Sequence, residues 1–170
     1  MTRSRPTPEI EPDDEYIVQL ERAITRISYV LTRARRHGLT IAAAGVDVDR
    51  ANVPLLRVLA DMGRPLRLGE LAGRLGVEAP HVTRMVQRLE RTGLVMRVAD
   101  PQDRRAQRVQ LTPAGRDVDE AIRLVIRRDI RRALSAWPQE DLRLLAALNH
   151  RMVDDFIECL PELEPMRTTK

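Results

Sequence analysis

Residues 93–115 decide the fold: Gly93-Leu94-Val95-Met96-Arg97-Val98-Ala99-Asp100-Pro101-Gln102-Asp103-Arg104-Arg105-Ala106-Gln107-Arg108-Val109-Gln110-Leu111-Thr112-Pro113-Ala114-Gly115. Leu94–Val98 and Gln107–Leu111 read as strands, where the helical spacing upstream gives way to a period of two. Between them lies a polar loop with turn chemistry at Asp100-Pro101 and the charged run Asp103-Arg104-Arg105. The spacing predicts a hairpin with a long, charged tip. Thr112 and Pro113 then signal the start of a helix, with proline where its missing amide proton costs nothing.

Upstream, a helix is predicted from about Pro80 to Thr92, closed by Gly93. Val82, Met85, Val86 and Leu89 fall at i, i+3, i+4 and i+7, so they form one apolar face. The opposite face presents His81, Thr83, Arg84, Gln87, Arg88 and Arg91. Donors and cations without carboxylates suit a major groove: arginine pairs with guanine, glutamine with adenine, and threonine reaches phosphate or base. A short helix over Leu68–Leu75, stopped by Gly76, precedes it. Before that, a helix is expected from Asp49 as N-cap to Gly63, although Pro54 demands a bend or a later start. The order helix, short helix, turn, helix, strand, charged loop, strand is that of a winged helix-turn-helix.

The flanks are helical. Residues 1–12, with Pro6, Pro8 and Pro12, read as an irregular arm. From Asp13 to His37, apolar residues recur at three- and four-residue steps. Residues 39–48 read as a brief helical turn followed by a loop. After the hairpin, one helix runs from Pro113 to about Ala136, with Val118, Ile122, Val125 and Ile130 inward. Another opens at Pro138, with a stripe of Leu142, Leu145, Met152, Val153, Phe156 and Ile157. The expected organisation is an arm (1–12), a helical dimerisation region (13–37 and 113–160), a DNA-binding winged helix-turn-helix (49–112) and a tail (161–170). The fold class is mainly α with a small β-hairpin wing. A compact winged helix does not need such long terminal helices. A two-fold dimer would bury their stripes and set two recognition helices one DNA turn apart, roughly 34–36 Å.

Charge supports a nucleic-acid partner. Of 29 basic residues only Lys170 is a lysine, and the arginines cluster. Residues 64–110 carry ten arginines against five acids, whereas residues 1–20 hold two against five and residues 133–170 hold four bases against seven acids. A basic middle between acidic ends marks one surface for a polyanion. Tyr16, Tyr29, Trp137 and Phe156 are the only aromatic residues, and none lies in that middle. Single-stranded nucleic acid is usually held by stacking on such rings, so their absence favours double-stranded DNA. On the hairpin tip, an arginine can enter a narrow A·T-rich minor groove, and Asp103 beside it can orient the guanidinium.

Three runs resemble the MarR family of bacterial regulators: Gly93–Arg97, Asp100–Arg105 and Leu111–Gly115. Leu68–Ala72 and Thr83–Glu90 are similar to that family as well. The resemblance extends in element order over residues 13–160 and is strong in sequence over 66–115. It implies a homodimer with interlocked N-terminal and last two helices, bound to a pseudo-palindromic operator. It further implies release by a small aromatic or anionic effector. By position, Asp103 and Arg105 match the family's wing aspartate and arginine, with Arg104 between them. Pro80, His81, Thr83, Arg84 and Arg88 fall on its recognition helix. Gly69 stands where the family often has a Ser or Thr cap, which should weaken that helix start slightly.

Other chemistries are not indicated. His37, His81 and His150 lack metal-ligand spacing. No phosphate-binding loop, nucleophile elbow or catalytic carboxylate pair is present, so neither an enzyme nor a cofactor is expected. Cys159 has no partner for an internal disulfide, and its neighbours Asp155 and Glu158 disfavour a reactive thiolate. No apolar run reaches the length of a membrane span. A soluble cytoplasmic regulator is expected, and by resemblance a repressor. The alternative is a winged-helix module whose basic faces bind an acidic protein.

Overall fold

The computed structural model describes residues 15–32, 40–103 and 106–159. The chain divides into two units, residues 1–39 and 40–170. The first contributes helix α1 (Glu15–Thr32), with Glu15 at its positive end. The expected helix start at Asp13 and end at His37 lie outside the described residues.

The second unit begins with a helical stretch over residues 40–44, ended by Gly45 in the left-handed region. A single 3-10 turn (Arg50–Asn52) follows, then helices α2 (Val53–Met62), α3 (Leu68–Leu75), α4 (Ala79–Arg91), α5 (Pro113–Ala133) and α6 (Gln139–Cys159). Strands β1 (Leu66–Arg67), β2 (Val95–Ala99) and β3 (Gln107–Leu111) form an antiparallel sheet in the order β1-β3-β2.

The difficulty at Pro54 is resolved by this local arrangement. Asp49 does act as an N-cap, its Oδ1 accepting from Ala51 N at 3.0 Å, but it caps the 3-10 turn. The α-helix starts only at Val53, so Pro54 lies in its first turn, where an amide proton would have no partner. Gly63 and Gly76 end α2 and α3 in the left-handed conformation that Schellman-type stops require.

One core joins these parts. Leu55, Leu56 and Leu59 of α2 meet Leu71 of α3 and Val82, Met85, Val86 and Leu89 of α4. Leu66, Leu94, Val95, Val109 and Leu111 close it from the sheet. The four apolar positions expected on the fourth helix are therefore the buried ones. Helix α5 adds Ile122 and Val125, both buried, with Val118 packed against the main cluster.

One expectation about burial fails within this chain, and the α6 stripe is left largely uncovered. Ile130 is 51% exposed, and of the α6 stripe only Ile157 is buried. Leu142 and Met152 are half-buried, whereas Leu145, Val153 and Phe156 stay exposed on the apolar face that periodicity indicates.

The hairpin is seated on α5 through a tight corner. Thr112 caps α5 by accepting from Gly115 N at 3.0 Å, while its hydroxyl donates to Gly93 O at 2.6 Å. Thr112 N donates to Leu94 O at 3.1 Å. Gly115 thus lies directly on the Leu94 backbone.

Candidate nucleic-acid interface

Helix α4 carries the first part of the candidate surface. Packing of Val82, Met85, Val86 and Leu89 inward turns His81, Arg84, Gln87, Arg88 and Arg91 outward, all exposed. Pro80 is exposed in the first turn, and Thr83 is half-buried with its hydroxyl donated to Ala79 O at 3.0 Å. The structure therefore brings Pro80, His81, Thr83, Arg84, Gln87 and Arg88 onto one helix, as the sequence indicates.

The cations on this helix are not equivalent. Arg88 approaches Asp49 at 3.9 Å, and Arg91 Nε donates to Gln87 O at 3.4 Å. Arg84 is exposed and forms no ion pair among the described residues. The Arg88 pair is solvent-exposed and long, worth little against a phosphate. Glu90 faces the sheet side and binds Arg97 Nε at 3.2 Å, tying α4 to β2.

The hairpin supplies the second part. β2 and β3 pair in regular register from Val95↔Leu111 to Ala99↔Gln107. Asp103 is exposed at the tip, and its carbonyl accepts from Ala106 N at 2.9 Å. Arg104 and Arg105 lie outside the described residues.

A different aspartate organises the root of this hairpin. Asp100 has a fully buried side chain. Its Oδ2 accepts from Arg67 Nε and from Arg108 Nε, the latter at 2.8 Å. Its Oδ1 accepts from Gln102 N at 2.8 Å and Arg108 Nη2 at 3.4 Å. Its own N–H donates to Ala106 O at 3.1 Å, closing the loop. The two guanidiniums are brought together because Arg67 and Arg108 are cross-strand partners in the β1–β3 ladder.

Hydrogen bonds from Arg67 and then Arg108 hold the Asp100 carboxyl well below the usual carboxylate range, against the opposing effect of burial. A depressed folded-state value contributes stability that is full above the unfolded value near pH ~4 and is lost as pH falls toward the folded one. The stability difference between the wild type and Asp100→Asn should therefore be largest near neutrality. It should shrink below pH ~4, which denaturant titrations across pH would measure.

Sequence alone places Asp100 in a turn and misses its role. It places the short helix over Leu68–Leu75, as observed, but misses the residue that caps it. The N-cap of α3 is Arg67, so Gly69 is inside the helix and caps nothing. Arginine cannot cap by side-chain acceptance; instead Glu70 Oε2 accepts from Arg67 N at 2.9 Å. That choice frees the Arg67 side chain for Asp100. The signal available in the sequence is a carboxylate preceding a proline, with an arginine on the return strand.

Among the described residues no group of His, Cys, Asp and Glu could hold a metal ion, and no helix is long and apolar enough to cross a membrane. Cys159 is exposed.

Comparison with known proteins agrees with this geometry. Residues 50–106 match the model of the MarR family. The HTH-type transcriptional regulator YsmB of Bacillus subtilis (strain 168) is 25% identical over 142 residues, covering 81% of this chain and 94% of that protein. The crystal structure of transcriptional regulator Tm0710 from Thermotoga maritima is 29% identical, with a TM-score of 0.63, over 81% of this chain and 96% of that one. A MarR family protein from Bacillus stearothermophilus shares the fold with a TM-score of 0.72 at 22% identity, over 84% and 96% of the two chains. YsmB and Tm0710 are transcriptional regulators by name, which agrees with the expectation that the chain is not an enzyme.

Proposed function

With residues 50–106 placing this chain in the MarR family of transcriptional regulators, we propose that it binds double-stranded DNA sequence-specifically as a homodimer on a pseudo-palindromic operator. The observation that carries this reading is α4: its apolar face is fully used by the core, and its outer face offers His81, Arg84, Gln87 and Arg88 to a groove. Base readout falls to Arg84 and Gln87, and phosphate contact to Arg88. The wing, with Asp103, Arg104 and Arg105, takes the flanking minor groove. We place the protein in the cytoplasm and assign it a repressor's role, relieved by a small aromatic or anionic effector.

The dimer is supported by what the chain leaves uncovered. Tyr16, Ile17 and Ile27 on α1 are each more than half exposed. Leu124 and Ile130 on α5 and Leu144, Leu148, Val153 and Phe156 on α6 are also exposed. Exposed apolar surface on this scale marks a protein interface.

Binding to random duplex DNA at increasing salt tests the reading. A dimer neutralising six or more phosphates should lose roughly 10³-fold in affinity between about 50 and about 200 mM salt. A flat response, or no binding at low salt, would favour a module that binds an acidic protein. Within an operator, Arg84→Ala should change base preference in the half-site, whereas Arg105→Ala should weaken binding through the A·T-rich flanks. Equal losses on every sequence would overturn this division of roles.

A further inference from the structure

We propose that Asp100 is a positioning residue for DNA binding: through Arg67 and Arg108 it fixes the wing on the helix-turn-helix, although it touches no DNA itself. The inference rests on the DNA-binding reading above and adds to it a residue on which wing placement depends.

A two-stranded hairpin has little stability of its own, so its aim depends on what holds its root. The β1–β3 ladder is only two residue pairs long, Leu66↔Val109 and Arg67↔Arg108. Asp100 supplements it by joining three places at once. Arg67 belongs to β1 and is the residue from which α3 starts, Arg108 belongs to the central strand, and Gln102 belongs to the tip. The carboxylate is wholly buried, whereas the Arg67 side chain is 45% exposed and that of Arg108 20%. Anchoring therefore occurs beneath the surface, and the arginines form the layer above it.

The charges make this arrangement conditional on Asp100. Arg67 and Arg108 are like charges directly opposite each other on adjacent strands, an unfavourable pairing on its own. One carboxylate between them converts repulsion into a bridge. Without it the two strands are pushed apart at the point where the wing leaves the domain.

The expected result is opposite in sign to that of simple electrostatics. Removing an acid beside a DNA-binding surface should strengthen attraction to a polyanion. Positioning predicts that Asp100→Asn weakens operator binding, by about tenfold, the range of one lost specific contact. Cleavage footprints should lose protection in the flanks that the wing covers and keep it in the half-site read by α4. Arg108→Lys provides a variant of unchanged charge, in which a single ammonium replaces the Nε and Nη2 pair on Asp100. It should show the same loss of flanking protection, and it serves alone if Asp100→Asn does not fold by circular dichroism. Combining Arg67→Gln with Asp100→Asn should cost less than the product of the single effects, because both break one cluster. Operator affinity that is equal or higher in Asp100→Asn, or in Arg108→Lys where that variant serves, with flanks still protected, would overturn the proposal. Failure of the wild type to bind any duplex would instead overturn the DNA-binding reading.

Discussion

Gly115→Ala should destabilise the protein by about 3 kcal/mol, at the upper end of what overpacking a rigid site costs. The same substitution in an ordinary helix would stabilise by up to ~1 kcal/mol, because alanine has the higher helix propensity. The sign reverses here because of what an added Cβ would meet. It would overlap the Leu94 carbonyl oxygen and lie 2.9 Å from the Leu94 carbonyl carbon, with Leu111 Cδ2 at 3.2 Å. Two of these are main-chain atoms, which cannot rotate aside. Relief requires α5 to move off the hairpin, and that motion would break Thr112 N→Leu94 O and the Thr112 hydroxyl bond to Gly93 O. Gly73→Ala is the internal comparison, since Gly73 is helical and exposed, and a methyl group added there would meet nothing within 4 Å. Denaturant midpoints at one protein concentration should move in opposite directions for the two variants. A midpoint for Gly115→Ala that is unchanged or raised would mean that α5 and the hairpin are not locked at this corner.

The second large effect concerns association. Leu148→Glu should weaken self-association on the order of a hundredfold or more, because an interface core that receives an unpaired carboxylate loses both apolar contact and solvation. Leu148 is 44% exposed, and its neighbours Leu144, Leu145 and Phe156 are also exposed on α6. A partly exposed helix position can keep the new carboxylate in water, so circular dichroism should show the helices retained. Sedimentation should show a shift from dimer to monomer. Operator affinity should fall with it, because one half-site bound alone forfeits the linkage between two. An unaltered sedimentation coefficient would show that this face of α6 is not where copies meet.

Much of the fold is legible in the sequence because its strongest signals are periodic and local. Val82, Met85, Val86 and Leu89 specify both the buried face of α4 and, by subtraction, its outer one. The hairpin is equally clear from alternation, and Gly63, Gly76 and Gly93 mark their helix ends. What cannot be read has a common physical cause. β1 is two residues long, too short for any period, and exists only because β3 passes beside it. The Asp100 cluster joins residues 33 and 8 positions apart in the chain, so its members meet only through strand register. Ile130 defeats its expected burial for a related reason: periodicity identifies an apolar face without identifying what lies against it. The same limit hides Arg67 as the cap of α3, since its position is set by a two-residue strand.

Helix α4 has a consequence for how such a protein could change. Its inner four residues are buried in the core, and apart from Thr83 the outward ones to which we assign readout are exposed. Surface positions of this kind contribute little to stability. If readout lies where we propose, at His81, Arg84 and Gln87, its preference can be rewritten while the folding free energy stays nearly constant, and recognition and foldedness become separately heritable traits.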